Sequence, residues 1–291
     1  METANESGND AGSSADHRRR LIHGMTFEVV PMKSLDAAIA ALPAESRVSV
    51  TCSPVKGIAE TMRATDQVRR LGHVAIPHIA ARMVESKAHV AEIASWLRNE
   101  QVGQLFLIAG DADPPGPYPD AISFLRDLLD ADPDLHTVGV TAYPDGHSFI
   151  DSTMLSTALH EKQALLAEAG IDGYASTQMC FDPEQIRRWL QAERQQDFAL
   201  PVHLGIAGVV DRSKLMTMGM RLGIGSSLGF LKKNRKAIGQ LLTKADYDPD
   251  ALLQPLAEDL LPLGIEGIHC FTFNQVEATK LWRQQALAAR Y

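Results

Sequence analysis

The sequence predicts an α/β protein built as a single-domain (β/α)8 TIM barrel. From residue 25 onward, eight short runs of apolar or β-branched residues alternate with longer amphipathic segments. Strands that alternate with helices indicate βαβ units and a parallel sheet, and eight such units in about 270 residues fit a closed barrel. An open doubly wound sheet is the alternative fold, but no GxGxxG follows the first strand.

Each element is predicted from its own run of residues. The strands are the short apolar runs at residues 26–30, 48–52, 73–77, 104–109, 137–141, 173–177, 202–206 and 267–271. The helices are the amphipathic segments at residues 58–71, 87–100, 121–130, 152–169 and 183–195, followed by a long helical region from residue 213 to residue 263. The period of the apolar residues distinguishes the two kinds of segment.

Composition and charge exclude several classes of function. The chain of 291 residues is 45% hydrophobic and has a formal net charge of −8. That charge argues against a general nucleic-acid-binding surface, although a local basic site for an anion stays open. No apolar run approaches the roughly 20 residues of a membrane helix. The three cysteines form no CxxC pair, so we expect neither a disulfide framework nor a zinc knuckle.

Residues 1–22 are interpreted as a disordered N-terminal tail and residues 23–291 as the catalytic barrel. The first twenty residues are small and polar, and they contain no apolar segment of the kind that a secretory signal requires. We therefore expect a cytoplasmic protein with no membrane or nucleic-acid partner. Whether it forms a homo-oligomer is left open.

Polar side chains lie at or just beyond the ends of seven of the eight predicted strands. Barrel active sites are built at the carboxyl ends of the strands, so residues that do chemistry should collect there. The seventh strand ends instead in a glycine-bearing turn. A polar residue after a strand is also a common turn or cap residue, and this alternative stays open for each position. In chain order the polar residues are Glu28, Thr51, His78, Asp111, Tyr143 with His147, Gln178, and Thr272 with Asn274.

These residues suggest a site for a flat, polar ligand. Glu28 lies within the first strand, where a partly desolvated carboxyl group suits proton donation near neutral pH, although an edge-facing glutamate would also fit. Gly110, beside Asp111, allows a flat ring to lie close to the backbone. The amide of Gln178 can both donate to and accept from a heterocycle.

No metal site is expected. None of the ten histidines forms HxH or HExxH spacing, and contacts with a planar ligand explain the histidines after the strands better. The basic, glycine-rich stretch at residues 219–236 matches neither a P-loop nor a dinucleotide fingerprint. Its cations, at residues 232–236, are interpreted either as a site for phosphate or polyglutamate or as a solvated face.

Seven short motifs, in the same order and at similar intervals, make the chain resemble methylenetetrahydrofolate reductases. They are TFEVVP, VSVT, IPHIA, AGDADPPG, TAYPDGHS, STQMCFD and GIEGIHCFTFNQVEAT, and they extend from residue 25 to about residue 285. That family has the (β/α)8 fold and reduces 5,10-methylenetetrahydrofolate to 5-methyltetrahydrofolate with NAD(P)H, usually through bound FAD. The resemblance therefore implies a place in one-carbon metabolism and methionine biosynthesis.

The resemblance also implies a role for each candidate residue. Glu28 matches the acid that promotes opening of the folate ring to a reactive iminium, and Asp111 matches the aspartate that contacts the pterin. Gln178 matches the glutamine that holds the folate, and Thr272 and Asn274 are expected to be further substrate contacts. The residues assigned to the cofactor are Thr51, His78, Gly110, Tyr143 and His147.

Departures from the typical family pattern argue against tight binding of FAD. Ala109 stands where flavin-binding members carry an arginine, and Ala167 and His160 stand where they carry a lysine and an aspartate. The nearby Lys162 is five residues out of register, which puts it on another face of the helix. Cations that would meet the pyrophosphate contribute roughly 1.5–3 kcal/mol each, so their loss should weaken FAD binding.

The expected activity is therefore direct hydride transfer from NADH or NADPH to the folate, without flavin. Reduced nicotinamide and reduced flavin both deliver two electrons as hydride, so a flavin relay is not chemically required. Three alternatives stay open: an FAD-dependent reductase with a ping-pong relay, a folate-dependent methyltransferase, and a folate- or nucleotide-binding protein that has lost catalysis.

Overall fold

Eight parallel strands in sequential order form a closed barrel, which confirms the predicted (β/α)8 fold. The structure is a computed structural model that describes residues 6–113, 116–221 and 246–289. The strands are β1 Thr26–Val29, β2 Arg47–Val50, β3 Val74–Ala80, β4 Gln104–Ile108, β5 Thr137–Ala142, β6 Asp172–Thr177, β7 Val202–Ala207 and β8 Ile265–Phe271.

Ten α-helices are present in the part of the chain that the structure describes. They are α1 Glu6–His23, α2 Leu35–Ala40, α3 Gly57–Arg70, α4 Lys87–Asn99, α5 Ala121–Asp130, α6 Ser152–Glu168, α7 Pro183–Arg194, α8 Arg212–Arg221, α9 Asp250–Leu253 and α10 Val276–Ala288. Helices α2 and α10 were not predicted. The long helical region predicted from residue 213 contains α8 and α9, whereas the basic segment at residues 232–236 lies outside the described residues. None of the described helices is long and apolar enough to span a membrane.

Successive side chains of each strand point alternately outward to the helices and inward to the barrel interior, which gives two layers of side chains. Residues such as Val48, Leu107 and Val140 belong to the large apolar core that packs beneath the helices. Residues that alternate with them contact one another across the barrel interior, as the period of two along a strand requires. This inner layer is polar and aromatic, and it includes Glu28, Ser49, His78, Phe106, Tyr174, His203 and His269.

Strand β3 is longer than predicted, because Pro77 does not end it. Pro77 pairs in register with Val50 of β2, and the strand then continues so that His78 pairs with Phe106 of β4. The pairing of β3 with β4 begins only after Pro77. The N–H that proline lacks is therefore not needed for the hydrogen bonds between these two strands. His78 therefore lies within the barrel wall, whereas the sequence pattern predicted that it follows the strand.

The expectation of a disordered tail over residues 1–22 is wrong for the residues that the structure describes. Helix α1 packs against α10, and Leu21 and Ile22 are buried in the main core. Arg18 donates to Asp250 across 2.6 Å, and only 5% of its side chain is exposed. The polar composition was misleading because a few apolar residues and one long-range ion pair are enough to anchor the helix.

Lys162→Met is expected to stabilise the protein at pH 7. Lys162 is buried in α6, and burial lowers its pKa from 10.5 to about 8, with the charge of Asp120 acting in the opposite direction. Between these two pKa values the folded state binds fewer protons than the unfolded state. Below pH 8 the buried ammonium is charged and lowers the stability of the fold. This cost is relieved as the pH rises from about 8 toward 10.5. Methionine removes a penalty on the order of 1–3 kcal/mol.

Urea unfolding at pH 7 and pH 9.5 checks this prediction, with the exposed Lys33→Met as the control. We expect a higher midpoint for Lys162→Met at neutral pH and a smaller gain at alkaline pH. A midpoint at pH 7 that is equal to or below that of the wild type would contradict it.

Candidate functional site

Glu28 and His269 form a buried pair between β1 and β8. The distance between Glu28 Oε2 and His269 Nε2 is 2.9 Å, and the two residues are 8% and 2% exposed. The strand register places Phe271 beside Glu28 and His269 beside Thr26, so the glutamate reaches the histidine diagonally. A carboxyl group and an imidazole at this distance can share one proton, which is the arrangement that general acid catalysis needs.

His78, on β3, approaches the same carboxylate oxygen of Glu28 as His269 does. Its Nε2 is 3.9 Å from Glu28 Oε2 and 2.5 Å from the hydroxyl oxygen of Ser49. Burial lowers the pKa of His78 well below its ordinary value, and the nearby His269 contributes in the same direction. His78 is therefore neutral at physiological pH, and it lies beside Glu28 inside the barrel.

Thr272 and Asn274 hold β8 against β1. The Thr272 hydroxyl donates to the carbonyl of Glu28 across 2.5 Å, and the Asn274 amide accepts from the N–H and donates to the carbonyl of Val30. Asn274 also has a φ of 62°, in the left-handed region that asparagine tolerates. This differs from the substrate contacts expected of both residues. Their polar atoms bond to the backbone of Glu28 and Val30, so in the structure they fix the end of β1 against β8.

The end of β4 and the loop after β5 bring four predicted residues to one rim of the barrel. Gly110 has a φ of +83°, and a Cβ there would lie 2.8 Å from the Cβ of Ala80, so the position requires glycine. Tyr143 and His147 pack edge to face with their ring centres 5.4 Å apart. Burial raises the pKa of Tyr143, and the negative charge of Asp111 contributes in the same direction. Asp111 itself is exposed, so its carboxylate is open to a ligand.

Gln178 and Thr51 lie at the ends of β6 and β2, and both are half-buried. The Gln178 Oε1 accepts from the N–H of Met179 across 2.8 Å, while its NH2 group has no protein partner among the described residues. Thr51 donates its backbone N–H to Val29. These positions are compatible with the predicted ligand contacts, which stay predictions.

Sequence analysis missed His269 and Ser49, which complete the hydrogen-bonded cluster with Glu28 and His78. Candidate residues were sought at the carboxyl ends of the predicted strands, whereas these two were treated as ordinary residues of β8 and β2. A usable signal was present, because His269 lies between Ile268 and Cys270, both buried in the outer core. A polar residue between two outward-facing apolar residues must point into the barrel.

The same cluster is also the geometric candidate for a metal ion within the described residues. One potential ligand atom from each of Glu28, His78 and His269 lies within 4.8 Å of the others, and two imidazoles with a carboxylate suit zinc or iron. The buried polar atoms of these side chains already have hydrogen-bond partners, however, because none of them is unsatisfied. The absence of a metal stays a prediction. It was based on the lack of HxH and HExxH motifs, and such local motifs cannot detect ligands that come from three separate strands.

A cavity of about 690 Å³ opens at the opposite end of the barrel, where the strands begin. It is lined in part by Arg47, Tyr174 and His203, and the last two rings stack with their centres 4.0 Å apart. Burial lowers the pKa of His203 to about 3, so this imidazole is neutral. Residues at the amino-terminal end of a barrel generally serve stability, and the predicted site residues lie at the other end.

Comparison with solved structures finds the same barrel at low sequence identity, and a comparison with protein-family models finds no match. An uncharacterised protein from Clostridium thermocellum that binds two copies of 5-methyl-5,6,7,8-tetrahydrofolic acid is 12% identical, with a TM-score of 0.60 over 91% of this chain and 95% of that chain. The carboxyl transferase domain of Rhizobium etli pyruvate carboxylase is 11% identical, with a TM-score of 0.49 over 96% of this chain and 45% of that chain. An oxaloacetate acetylhydrolase has a TM-score of 0.49 at 11% identity, over 90% of this chain and 81% of that chain. At 12% identity the likeness to the Clostridium thermocellum protein shows the fold alone.

Proposed function

We propose that the protein is a methylenetetrahydrofolate reductase that transfers hydride directly from NADH or NADPH to 5,10-methylenetetrahydrofolate. The observation that carries the proposal is the buried carboxyl group of Glu28, held 2.9 Å from His269 between β1 and β8. The motif resemblance supports the choice of substrate. The Clostridium thermocellum barrel, which binds a reduced folate and aligns with 91% of this chain, supports a folate partner for this fold.

The first chemical step requires a proton. When a bond between the methylene carbon and one folate nitrogen breaks, its electron pair stays on that nitrogen, which takes a proton from Glu28. The carbon becomes an iminium with the second nitrogen and can then accept hydride. His269 orients the Glu28 carboxyl group through their hydrogen bond. Because burial keeps His78 neutral, that imidazole adds no positive charge beside the developing cation.

The second step places a cation beside Asp111. A carboxylate near the iminium stabilises its positive charge, and this stabilisation strengthens when the ligands exclude water from the barrel mouth. Gly110 leaves room for a flat ring next to the backbone, and the nearby Tyr143 and His147 rings offer an aromatic wall. Hydride then passes from the nicotinamide to the methylene carbon, which becomes the methyl group. Nicotinamide and pterin must be bound at the same time for this transfer.

The residues at the positions that the resemblance assigns to FAD do not fit its pyrophosphate. Ala109 has no charge, and His160 is engaged with Glu193, whose Oε2 lies 3.1 Å from its Nε2. Lys162 is buried within the packing of α6. These contacts support a reaction that uses nicotinamide alone.

Visible absorbance and initial-rate kinetics of the purified protein test the proposal. A colourless protein that oxidises NADH or NADPH only with methylenetetrahydrofolate, and whose reciprocal plots intersect, would support it. A yellow protein with parallel plots would show that FAD relays the hydride. Turnover of folate without NAD(P)H would favour a methyltransferase, and folate binding without turnover would favour a non-catalytic protein. Metal analysis of the same sample tests the cluster around Glu28.

A further inference from the structure

We propose that Arg82 binds a phosphate group of the nicotinamide dinucleotide at the rim between β3 and β4. The inference rests on the proposed function, because it takes NADH or NADPH as the ligand. Sequence analysis did not select this residue, and none of the predicted site residues supplies a cation at the rim.

The backbone of Arg82 is held between two loops of the candidate site. Arg82 lies in the 3-10 turn Ala81–Met83, which directly follows β3. Its N–H donates to the carbonyl of Ala109 across 2.9 Å, and its own carbonyl accepts from the N–H of Gly116 across 2.9 Å. The loop that carries Asp111 is thus tied at two points to Arg82, so the Arg82 Cα has a defined place beside Gly110 and Asp111.

The side chain of Arg82 is half-buried and has no hydrogen-bond or ion-pair partner among the residues that the structure describes. Its Nε is buried without a hydrogen bond, and no described residue forms an ion pair with its guanidinium. Other half-buried arginines do have partners: Arg47 donates to Gln104, Arg187 to Asp259 and Arg194 to the carbonyl of Phe198. Leaving a buried cationic donor unpaired costs free energy, and such a group in a folded protein calls for an explanation. A bound oxyanion supplies one.

A phosphate is the oxyanion that fits this position best. The planar guanidinium binds phosphate and carboxylate with two parallel hydrogen bonds, so both the dinucleotide and the folate glutamate tail have suitable chemistry. Arg82 follows β3, and its N–H bonds to Ala109 at the end of β4, beside Gly110. The folate candidate Gln178 lies at the end of β6, two strands farther around the closed barrel. Since the neighbouring Gly110 belongs to the residues that the resemblance assigns to the cofactor, this placement favours the dinucleotide phosphate over the folate tail.

Calorimetric titration with ADP-ribose, which carries the pyrophosphate but no nicotinamide, tests the assignment. The proteins are wild type, Arg82→Ala, Arg82→Lys and the exposed control Arg126→Ala on α5. Arg82→Ala should weaken ADP-ribose binding by about tenfold or more, since a charge-assisted contact is lost, and Arg82→Lys should weaken it less. Arg126→Ala should bind as the wild type does. In turnover assays, Arg82→Ala should raise the KM for NADH or NADPH by a similar factor, with kcat and the KM for the folate nearly unchanged.

Each other outcome overturns the assignment. Equal affinity of wild type and Arg82→Ala for ADP-ribose would refute a phosphate contact. Weaker binding of tetrahydrofolate triglutamate by Arg82→Ala, with unchanged ADP-ribose binding, would assign Arg82 to the carboxylates of the folate. Absence of ADP-ribose binding by the wild type would also refute it. In contrast, an Arg82-dependent affinity for ADP-ribose in a protein that reduces no folate would refute the proposed function and keep the phosphate site.

Discussion

Glu28→Gln is expected to lower kcat by about two to four orders of magnitude, which is the usual contribution of a positioned general acid. Glutamine has nearly the same shape and can still hydrogen-bond to His269, so the barrel interior should stay packed. The amide cannot deliver a proton to the folate nitrogen, and the methylene bridge then cannot open to the iminium at a useful rate. The affinity for NADH or NADPH should change little, because Glu28 acts on the folate.

The measurement for Glu28→Gln is steady-state turnover together with thermal unfolding. Glu266→Gln is the matched control, because Glu266 is an exposed glutamate near the start of β8. The control should keep wild-type turnover, and both variants should unfold near the wild-type temperature. Near-wild-type activity of Glu28→Gln would refute its role as proton donor, and a large drop in its unfolding temperature would indicate a structural role.

Asp111→Asn is expected to lower kcat by about tenfold to a hundredfold. The variant keeps the shape of the side chain and removes the negative charge that would face the iminium, and one such charged contact contributes roughly 1.5–3 kcal/mol. The raised pKa of Tyr143, to which the Asp111 charge contributes, indicates that this carboxylate acts electrostatically on its surroundings even without ligands. The pKa of Tyr143 should therefore fall in the variant.

Asp113→Asn is the control for Asp111→Asn, because Asp113 is an exposed aspartate in the same loop. A spectrophotometric titration of tyrosine follows the change at Tyr143, and turnover with saturating NADH and folate follows the chemistry. Equal losses of activity in both variants would mean that the general charge of the loop matters, which would contradict a specific role for Asp111. Unchanged turnover in Asp111→Asn would contradict it as well.

The barrel was predictable because its signal is local and repeated. All eight strands lie where apolar runs predict them, with small shifts at their ends, since each strand needs an apolar outer face to pack beneath the helices. Two local expectations were wrong. Pro77 lies within β3, and the residues expected to form a disordered tail include α1. In both cases the deciding contacts are with residues far apart in the chain. Strand β3 continues because it pairs with β4, and α1 is held by the ion pair between Arg18 and Asp250.

The candidate site was predictable in part. Glu28 and His78 were selected from the sequence, and they lie together inside the barrel. His269 could be recognised as their partner only once β8 closed against β1, because 241 residues separate it from Glu28 along the chain. Thr272 and Asn274 were selected correctly as polar residues after a strand. Whether such a residue faces a ligand or the neighbouring strand depends on contacts that the sequence pattern does not contain.

The sequence alone determined the fold class, because the alternation of apolar strands and amphipathic helices depends on residues that are neighbours in the chain. A closed parallel barrel is the fold that best buries the apolar faces of eight such strands and their helices. The sequence also determined which residue types stand at the strand ends. The tertiary structure decided which of these form a unit: Glu28 with two imidazoles, and Asp111 beside Tyr143. It also left Arg82, within the described part of the chain, with a buried and unpaired Nε. Burial and distance set the chemistry of each group, and both arise only when strands far apart in the chain close into one barrel.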